Sequence, residues 1–515
     1  MGRRMSSENL TFVSIVPRAG ERHGYEVRPG TQTASALRWL AVLLAYFSAY
    51  LLVRAGMPGA LDRDEAEIVY LTQQLRLGYG TQPPLYAWLQ WLVFSVTGID
   101  RFGLILPKAI LLATAYVALY RASRPLVGRD AALAAAAMLA LFPQIGWETL
   151  RIQTHSLLLL TLACAVLAAY VGLLARPTLA RYAGFGLLCG LGLQAKYNFG
   201  ILLAGLVCAS LLVPEQRRVL WNRRAWAALP AALLVVSPHA AWMLAHPDLA
   251  FGGTLCKMQV GNEGVAYLDR VLGGLADLAT ATLTFAALPA CVLAIVHWRL
   301  HRPVEWQAHT AEARFFLCLY GSVALMLAAL AFTGQVGTIK ERWMMPLLFP
   351  LPLAAFVLLP ALRSARACAA IRRAAVAAGL LFLALLPARI WLTPAFGMVV
   401  VPHHPYERLA DALRRACPGA QVVVTESLLS AGNLRFARPE LRTVLLDAAP
   451  GTGPPPSGMV LLVTHEEAGP GWQRSFHAAY PQAALLHRQR VRLARRFGSP
   501  GSMAFDVGCY RFDAS

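Results

Sequence analysis

Long apolar runs recur from residue 36 to residue 393, and short arginine-bearing loops separate them. A bilayer-spanning helix needs roughly 17–25 mainly apolar residues. By that measure the chain predicts about eleven spans, near 36–57, 104–121, 130–145, 154–175, 180–194, 199–213, 225–244, 271–297, 315–333, 344–361 and 374–393. The loop at 58–103 carries two helical patches, about 64–77 and 84–98. The second, PLYAWLQWLVFSVTG, is short for a crossing and rich in Trp and Tyr, so it reads as interfacial. With that choice, the loops on one side all hold arginines: Arg121, Arg124 and Arg129, then Arg176 and Arg181, Arg217, Arg218, Arg223 and Arg224, Arg299 and Arg302, and Arg363, Arg366, Arg372 and Arg373. The positive-inside rule makes that side cytoplasmic and puts the loops at 58–103 and 245–270 outside.

The ends differ from the middle. Residues 1–35 are polar, carry Arg3, Arg4, Arg18, Arg22 and Arg28, and lead into a long apolar run without a small-residue cleavage pattern. They read as the cytoplasmic start of a signal anchor. Residues 394–515 are punctuated by Pro and Gly, with β-branched runs at Val422–Thr425, Thr443–Leu446, Met459–Val463 and Ala504–Tyr510 and a helical stretch at 404–416. They predict a small α/β domain, placed outside by the odd number of spans. GTGPPPSG at 451–458 is a turn-rich loop, not a phosphate cradle. The expected fold is a polytopic α-helical membrane domain over 36–393 followed by a periplasmic α/β domain over 394–515.

Composition agrees. The 515 residues are 57% hydrophobic and only 14% charged, against about 25% charged in soluble domains. The net charge of +20 invites nucleic acid, but the arginines sit in short loops between spans, which excludes that partner and suits membrane lipids and phosphate-bearing substrates. Cys164, Cys189, Cys208, Cys291 and Cys318 lie in apolar runs and read as packing residues. Cys417 and Cys509 share the polar C-terminal region and are able to pair if it is periplasmic. His403 and His404, adjacent in a linker, read as solvated.

Candidate chemistry gathers on the outer side. Asp62, Asp64 and Glu65 stand where the first span ends, and ionisable residues there are functional candidates. A carboxylate there takes the proton from an attacking hydroxyl or orients it; the alternative is an acidic cap on the helix that follows. Lys196, beside Tyr197 and Asn198 at an outer turn, is placed to meet a lipid phosphate as a point charge. Lys340 and Arg342 follow the ninth span, and Arg suits bidentate phosphate binding. Arg151 with Glu148 offers a further cation and carboxylate, while His246, Asp248 and Lys257 on the second outer loop are weaker candidates. The pattern fixes no cofactor, and a divalent metal stays open.

DEAEIVYLTQQLRLGYGTQPPLYAWL at 64–89, AKYN at 195–198, HPDLAF at 246–251 and ERWMMPLLFPLP at 341–352 together resemble the bacterial family 39 glycosyltransferases. These are membrane enzymes of GT-C fold, related to protein O-mannosyltransferases and to the lipid A aminoarabinose transferase. The resemblance implies a polyprenyl-phosphate sugar donor, and an acceptor that is a glycolipid, most simply lipid A or lipopolysaccharide, or a protein or cell-wall glycan. It implies Asp64 with Glu65 as catalytic carboxylates. Lys196, Arg342, Lys340 and Arg151 would serve the donor phosphate, and Asp62, Tyr70, Tyr79, Gln82, Tyr197 and His246 would line the substrate loop. The family's Thr-Asp pair at the start of the fourth span is here Thr154 and His155, so the second acid or base falls to His155 or to Glu148. Gln82 and Glu67 stand where aminoarabinose transferases carry lysine and arginine, which argues against that donor. A transporter or flippase is the reading from another class, but no inverted repeat is evident and the charges collect on outer loops rather than mid-span.

Overall fold

The apolar runs fold as helices in the computed structural model, which describes residues 29–252, 264–301, 303–336, 338–446, 458–469 and 471–512. The basic N-terminal stretch up to Arg28, Lys257, Arg302 and the loop at 451–457 lie outside these residues. The chain falls into two compact units, Met1–Tyr46 and Phe47–Ser515, and the site and the sheet belong to the second.

Seven helices among the described residues are long and apolar enough to cross a membrane, or eight if one bent pair counts as a span. About eleven were expected. The expected places are all helical: α1 (Pro29–Ala55), α4 (Arg101–Val127), α5 (Arg129–Ala137), α6 (His155–Ala175), α7 (Leu179–Ala195), α8 (Phe199–Leu212), α9 (Ala228–Ala245), α10 (Tyr267–Arg299), α11 (Ala311–Phe332), α12 (Leu351–Leu358) and α13 (Ala365–Leu392). The difference lies in helices that are short or broken. The third expected span bends by 72° between Arg129–Leu141 and Gln144–Arg151. Pro143 removes an amide at the bend, and the chain folds so tightly that a Cβ on Gly146 would lie 2.1 Å from the Ala140 carbonyl oxygen. The tenth is split after Leu348 because Pro350 and Pro352 cannot continue the ladder and instead start α12. The two outer-loop patches form α2 (Arg63–Leu71) and α3 (Leu85–Thr97), the first ending well short of residue 77.

Packing follows side-chain size. α6 buries Leu157, Leu158, Leu159 and Leu160 in succession, so it is apolar all round and enclosed by its neighbours. Gly186 and Gly190 of α7 meet Ala228 and Ala232 of α9, where a Cβ on Gly186 would stand 2.0 Å from the Ala228 carbonyl oxygen. That small-xxx-small spacing lets two membrane helices touch backbone to backbone.

The C-terminal region is a five-stranded sheet in the order β2-β1-β3-β5-β4. The strands are β1 (Val422–Thr425), β2 (Arg442–Leu445), β3 (Gly458–His465), β4 (Ala484–Ala494) and β5 (Ser502–Phe512), with β1 parallel to β2 and β3 and the β3, β5, β4 ladder antiparallel. Helices α14 (Tyr406–Ala416) and α15 (Leu428–Ala437) cover one face with Leu409, Leu413 and Leu434 on Phe505 and Val507. Helix α16 (Gly471–Ala479) covers the other through Phe476. Cys417 and Cys509 form a disulfide. His403 is not solvated as expected. It is fully buried, its Nε2 lies 2.9 Å from the Ile390 carbonyl oxygen, and its own carbonyl accepts from the Arg496 amide, because the linker turns back and pins the end of α13 to the sheet unit.

This unit grips α2. Asn433 bonds both the amide and the carbonyl of Leu61, at 2.7 and 3.1 Å. The Gln73 side chain pairs with the amide and carbonyl of Thr443 in β2, at 2.8 and 3.1 Å. Arg435 donates to the Val69 carbonyl at 3.0 Å, and a Cβ on Gly432 would lie 1.9 Å from the Ala66 carbonyl oxygen. Only glycine allows that approach. Gly432→Leu is therefore expected to lower the thermal unfolding midpoint in detergent by roughly 3–10 °C, as overpacking of a tight contact does. Gly471→Ala, whose added Cβ meets open space, is the control that leaves the midpoint in place. Equal midpoints for both variants would mean that the α2–α15 contact bears no load.

Candidate active site

Three acidic residues enter α2 in succession with an arginine between the first two, and the helix sends them in different directions. Adjacent helical residues diverge by about 100°. Glu65 points into the bundle, where it is 1% exposed and receives both Arg54 of α1 and Lys108 of α4, the latter at 2.8 Å. Asp62, the N-cap residue, is also buried, held by Arg389 of α13 at 2.5 Å and by Arg151 at 3.6 Å. Arg151 in turn pairs with Glu148 at 2.8 Å. Burial pushes the Glu65 carboxyl up, but the charges and hydrogen bonds of Arg54 and Lys108 outweigh it and hold it below the usual carboxylate range. Glu65, expected as a catalytic carboxylate beside Asp64, is thus ionised with its donors already in place.

Asp64 is different. It is half-buried, and among the described residues its side chain makes no ion pair. Burial raises its carboxyl, opposed by the charges of Arg342, Lys196, Lys108 and Arg63. The net shift is upward.

The cations that face it come from two distant turns. Lys196 ends α7 and donates to Ser156 Oγ at 2.8 Å. Arg342 lies in the short turn Glu341–Trp343. Asn198 reaches the Trp343 carbonyl at 3.4 Å, and Gln153, Gln144 and Glu341 form a chain with both links at 2.8 Å. Lys340 sits at the exposed start of that turn. His155 begins α6, 4% exposed, its ring 5.5 Å from that of Tyr86. Among the described residues neither of its ring nitrogens has a hydrogen-bond partner, nor have Tyr86 Oη and Gln153 Oε1.

The remaining expected residues shape the loop. Tyr70 accepts a bond from the Leu445 backbone and so anchors α2 to β2. Tyr79 Oη donates to the Gln74 carbonyl at 2.7 Å and accepts from the Arg76 amide at 3.0 Å, while Gln82 bridges back to Tyr79. Tyr197, His239, Trp242 and His246 form a ladder of rings with centroids 6.0, 5.7 and 5.1 Å apart. His239 bonds the Tyr197 hydroxyl at 3.0 Å and the Leu77 carbonyl at 2.7 Å, and Gly78 lies flat on Trp242. The Arg151 guanidinium, expected at a phosphate, is instead taken up by Glu148 and Asp62. Among the described residues no group of three His, Cys, Asp or Glu is arranged to hold a metal.

Arg54, Lys108 and Arg389 were not anticipated, and they correct the expectation that charges avoid the spans. Their signal was present: each is a cation set among apolar residues of a long helix, a costly place unless a partner is near. His239 and Trp242 share one face of α9 with His246, a spacing visible only once the helix is known.

Residues 81–242 match the family model described as dolichyl-phosphate-mannose-protein mannosyltransferase. The chain is 34% identical over 430 residues to the lipopolysaccharide core galacturonosyltransferase RgtB of Rhizobium johnstonii, covering 81% of this chain and 85% of that one. It is 34% identical over 426 residues to the lipopolysaccharide core galacturonosyltransferase RgtA of the same organism, covering 80% and 82%. Its fold matches the crystal structure of ArnT from Cupriavidus metallidurans bound to undecaprenyl phosphate, with a TM-score of 0.60 at 14% identity over 92% of this chain and 98% of that one. The chain belongs to the family of the lipopolysaccharide core galacturonosyltransferases and is a multi-span membrane glycosyltransferase of the family 39 type, built on the GT-C fold.

Proposed function

We propose that this protein transfers a hexuronic acid, galacturonic acid first among them, from a polyprenyl-phosphate donor to lipopolysaccharide core or lipid A on the periplasmic side of the inner membrane. The sugar and acceptor follow the two relatives named above. The orientation follows the arginine-rich loops, which lie at the opposite helix ends from α2. One observation carries the chemistry: of Asp62, Asp64 and Glu65, Asp64 alone lacks an ion pair among the described residues, and the charges of Arg342 and Lys196 act on it.

In this reading the acceptor hydroxyl attacks the anomeric carbon of the donor sugar. The bond from that carbon to the phosphate oxygen breaks, the polyprenyl phosphate leaves, and in-line attack inverts the centre. Asp64 takes the hydroxyl proton. Its raised pKa brings it nearer neutrality, where a general base is most effective. Arg342 and Lys196 stabilise the charge that grows on the departing phosphate. Glu65 and Asp62 do not react; they hold the start of α2, and Glu148 occupies Arg151. The ring ladder from Tyr197 to His246 supports the loop under which the donor lies. No metal is assigned a step.

Asp64→Asn is expected to lower kcat at least a hundredfold, within the span of about 10²–10⁴ for a lost general base, with an unchanged unfolding midpoint. In the wild type, kcat should fall toward acid pH with a midpoint above the ordinary aspartate range, because the base must be ionised. Cells carrying Asp64→Asn or a deletion should lose the same hexuronic-acid-sized increment from lipid A or core by mass spectrometry. Retention of that increment in Asp64→Asn would remove Asp64 from the chemistry.

Glu65→Gln should behave otherwise. It leaves Arg54 and Lys108 buried without their counter-charge, a change that costs about 3–5 kcal/mol. A drop in unfolding midpoint, larger than any produced at Asp64, is the expected result in a detergent melt. A variant as stable as the wild type would show that the buried cations find other partners.

A further inference from the structure

Three histidines, in or at the end of α9 and in the linker after α13, bond through their rings. His239 bonds through both ring nitrogens, His403 reaches the Ile390 carbonyl, and His246 bonds the Trp242 carbonyl. His155 differs from these three: it is 4% exposed, and among the described residues neither nitrogen has a partner, as is also true of His297 in α10. A buried polar group without a partner is costly, so its retention calls for a ligand or bound water. Gln153, 3% exposed, also leaves its Oε1 unpartnered two residues earlier.

The surroundings state what ligand this would be. His155 is the first residue of a 21-residue helix, and the side chain of its N-cap residue, Thr154, makes no capping bond. The helix start therefore presents amides and the positive end of its dipole. Ser156, the next residue, holds Lys196 Nζ at 2.8 Å, and the charge of Lys196 acts on both His155 and Asp64. Imidazole, ammonium, hydroxyl and helix start all favour an anion. Tyr86, the ring against His155, adds a hydroxyl and no charge.

We propose that His155, with Gln153 and the start of α6, forms the subsite that receives the carboxylate of the donor's uronic acid and thereby selects the sugar. The inference rests on the uronosyl-transfer reading above. Arg342 then serves the phosphate, Lys196 lies between the two anions, and Gln153 Oε1 accepts from a neighbouring sugar hydroxyl. A carboxylate at position 155 would repel the same sugar, whereas a neutral or cationic imidazole accepts it. The donor phosphate is the other anion with this chemistry, and the test separates the two.

The full-length protein, reconstituted in vesicles with lipopolysaccharide acceptor, is assayed with two synthetic polyprenyl phosphates, one bearing galacturonic acid and one bearing galactose. The wild type is expected to prefer the galacturonosyl donor. His155→Ala should lower kcat/KM for that donor ten- to a hundredfold and leave the galactosyl donor within a factor of about three, which collapses the preference. His155→Asp should lower it further, and His155→Gln, which keeps a donor, should recover part of it. A packing role, or a role at the phosphate that both donors share, would lower both donors together, so equal loss for the galacturonosyl and galactosyl donors in His155→Ala overturns the proposal. An unchanged preference in a fully active His155→Ala overturns it while leaving uronosyl transfer intact. A wild type that prefers the galactosyl donor overturns both readings.

Discussion

The structure depends on carboxylates buried at the start of a short helix. Glu65 lies between Arg54 and Lys108, and Asp62 between Arg389 and Arg151. These four cations come from α1, α4, α13 and the turn that precedes α6, so two adjacent-turn carboxylates tie together four separated segments. Buried ion pairs gain little net stability over apolar packing, but they are strict about geometry, since removing one partner strands the other. Here that strictness is the useful property. It sets where α2 begins and which way its next carboxylate faces.

Asp64 inherits its role from this arrangement. Asp62 and Glu65 on either side of it are held by ion pairs, and the charges of Arg342 and Lys196, whose own turns are held by Asn198, Gln144 and Ser156, act on it. In the proposed mechanism the reactive carboxylate is therefore preorganised by groups that take no part in the chemistry, as transition-state stabilisation requires. The C-terminal sheet unit takes part from the other side. Asn433, Gln73 with Thr443, and the bare backbone of Gly432 seat α2 against α15 and β2. The sheet unit thus acts as a clamp on α2, the helix that carries Asp64.

Much of this was legible in the chain. Apolar run length located the helices, Trp and Tyr content marked α3 as short, and β-branched runs found β1, β2, β3 and β5. β4 was missed because Arg488, Arg490 and Arg492 interrupt its apolar pattern; as an edge strand it exposes them to water. The breaks at Pro143 and Pro350 were hidden by composition, since the runs on either side remain apolar. Among site residues, Asp64, Lys196 and Arg342 stood out as outer charges. Arg54, Lys108 and Arg389 carried the same kind of signal within spans and were passed over.

The sequence by itself determined that this is a multi-span membrane protein with a small α/β unit after its last span, and that its acidic chemistry lies where the first span ends. Those properties follow from local length, periodicity and composition. Only the tertiary structure decided which of three neighbouring carboxylates makes no ion pair among the described residues, because that depends on cations 11 to 327 positions away in the chain. It likewise decided that Tyr70, Tyr79 and Gln82 shape the loop, and that His155 is buried without a partner among the described residues while His403 is buried with one. Charge type is written in the residues, whereas pairing is a property of distance, and distance is set by how the helix ends converge.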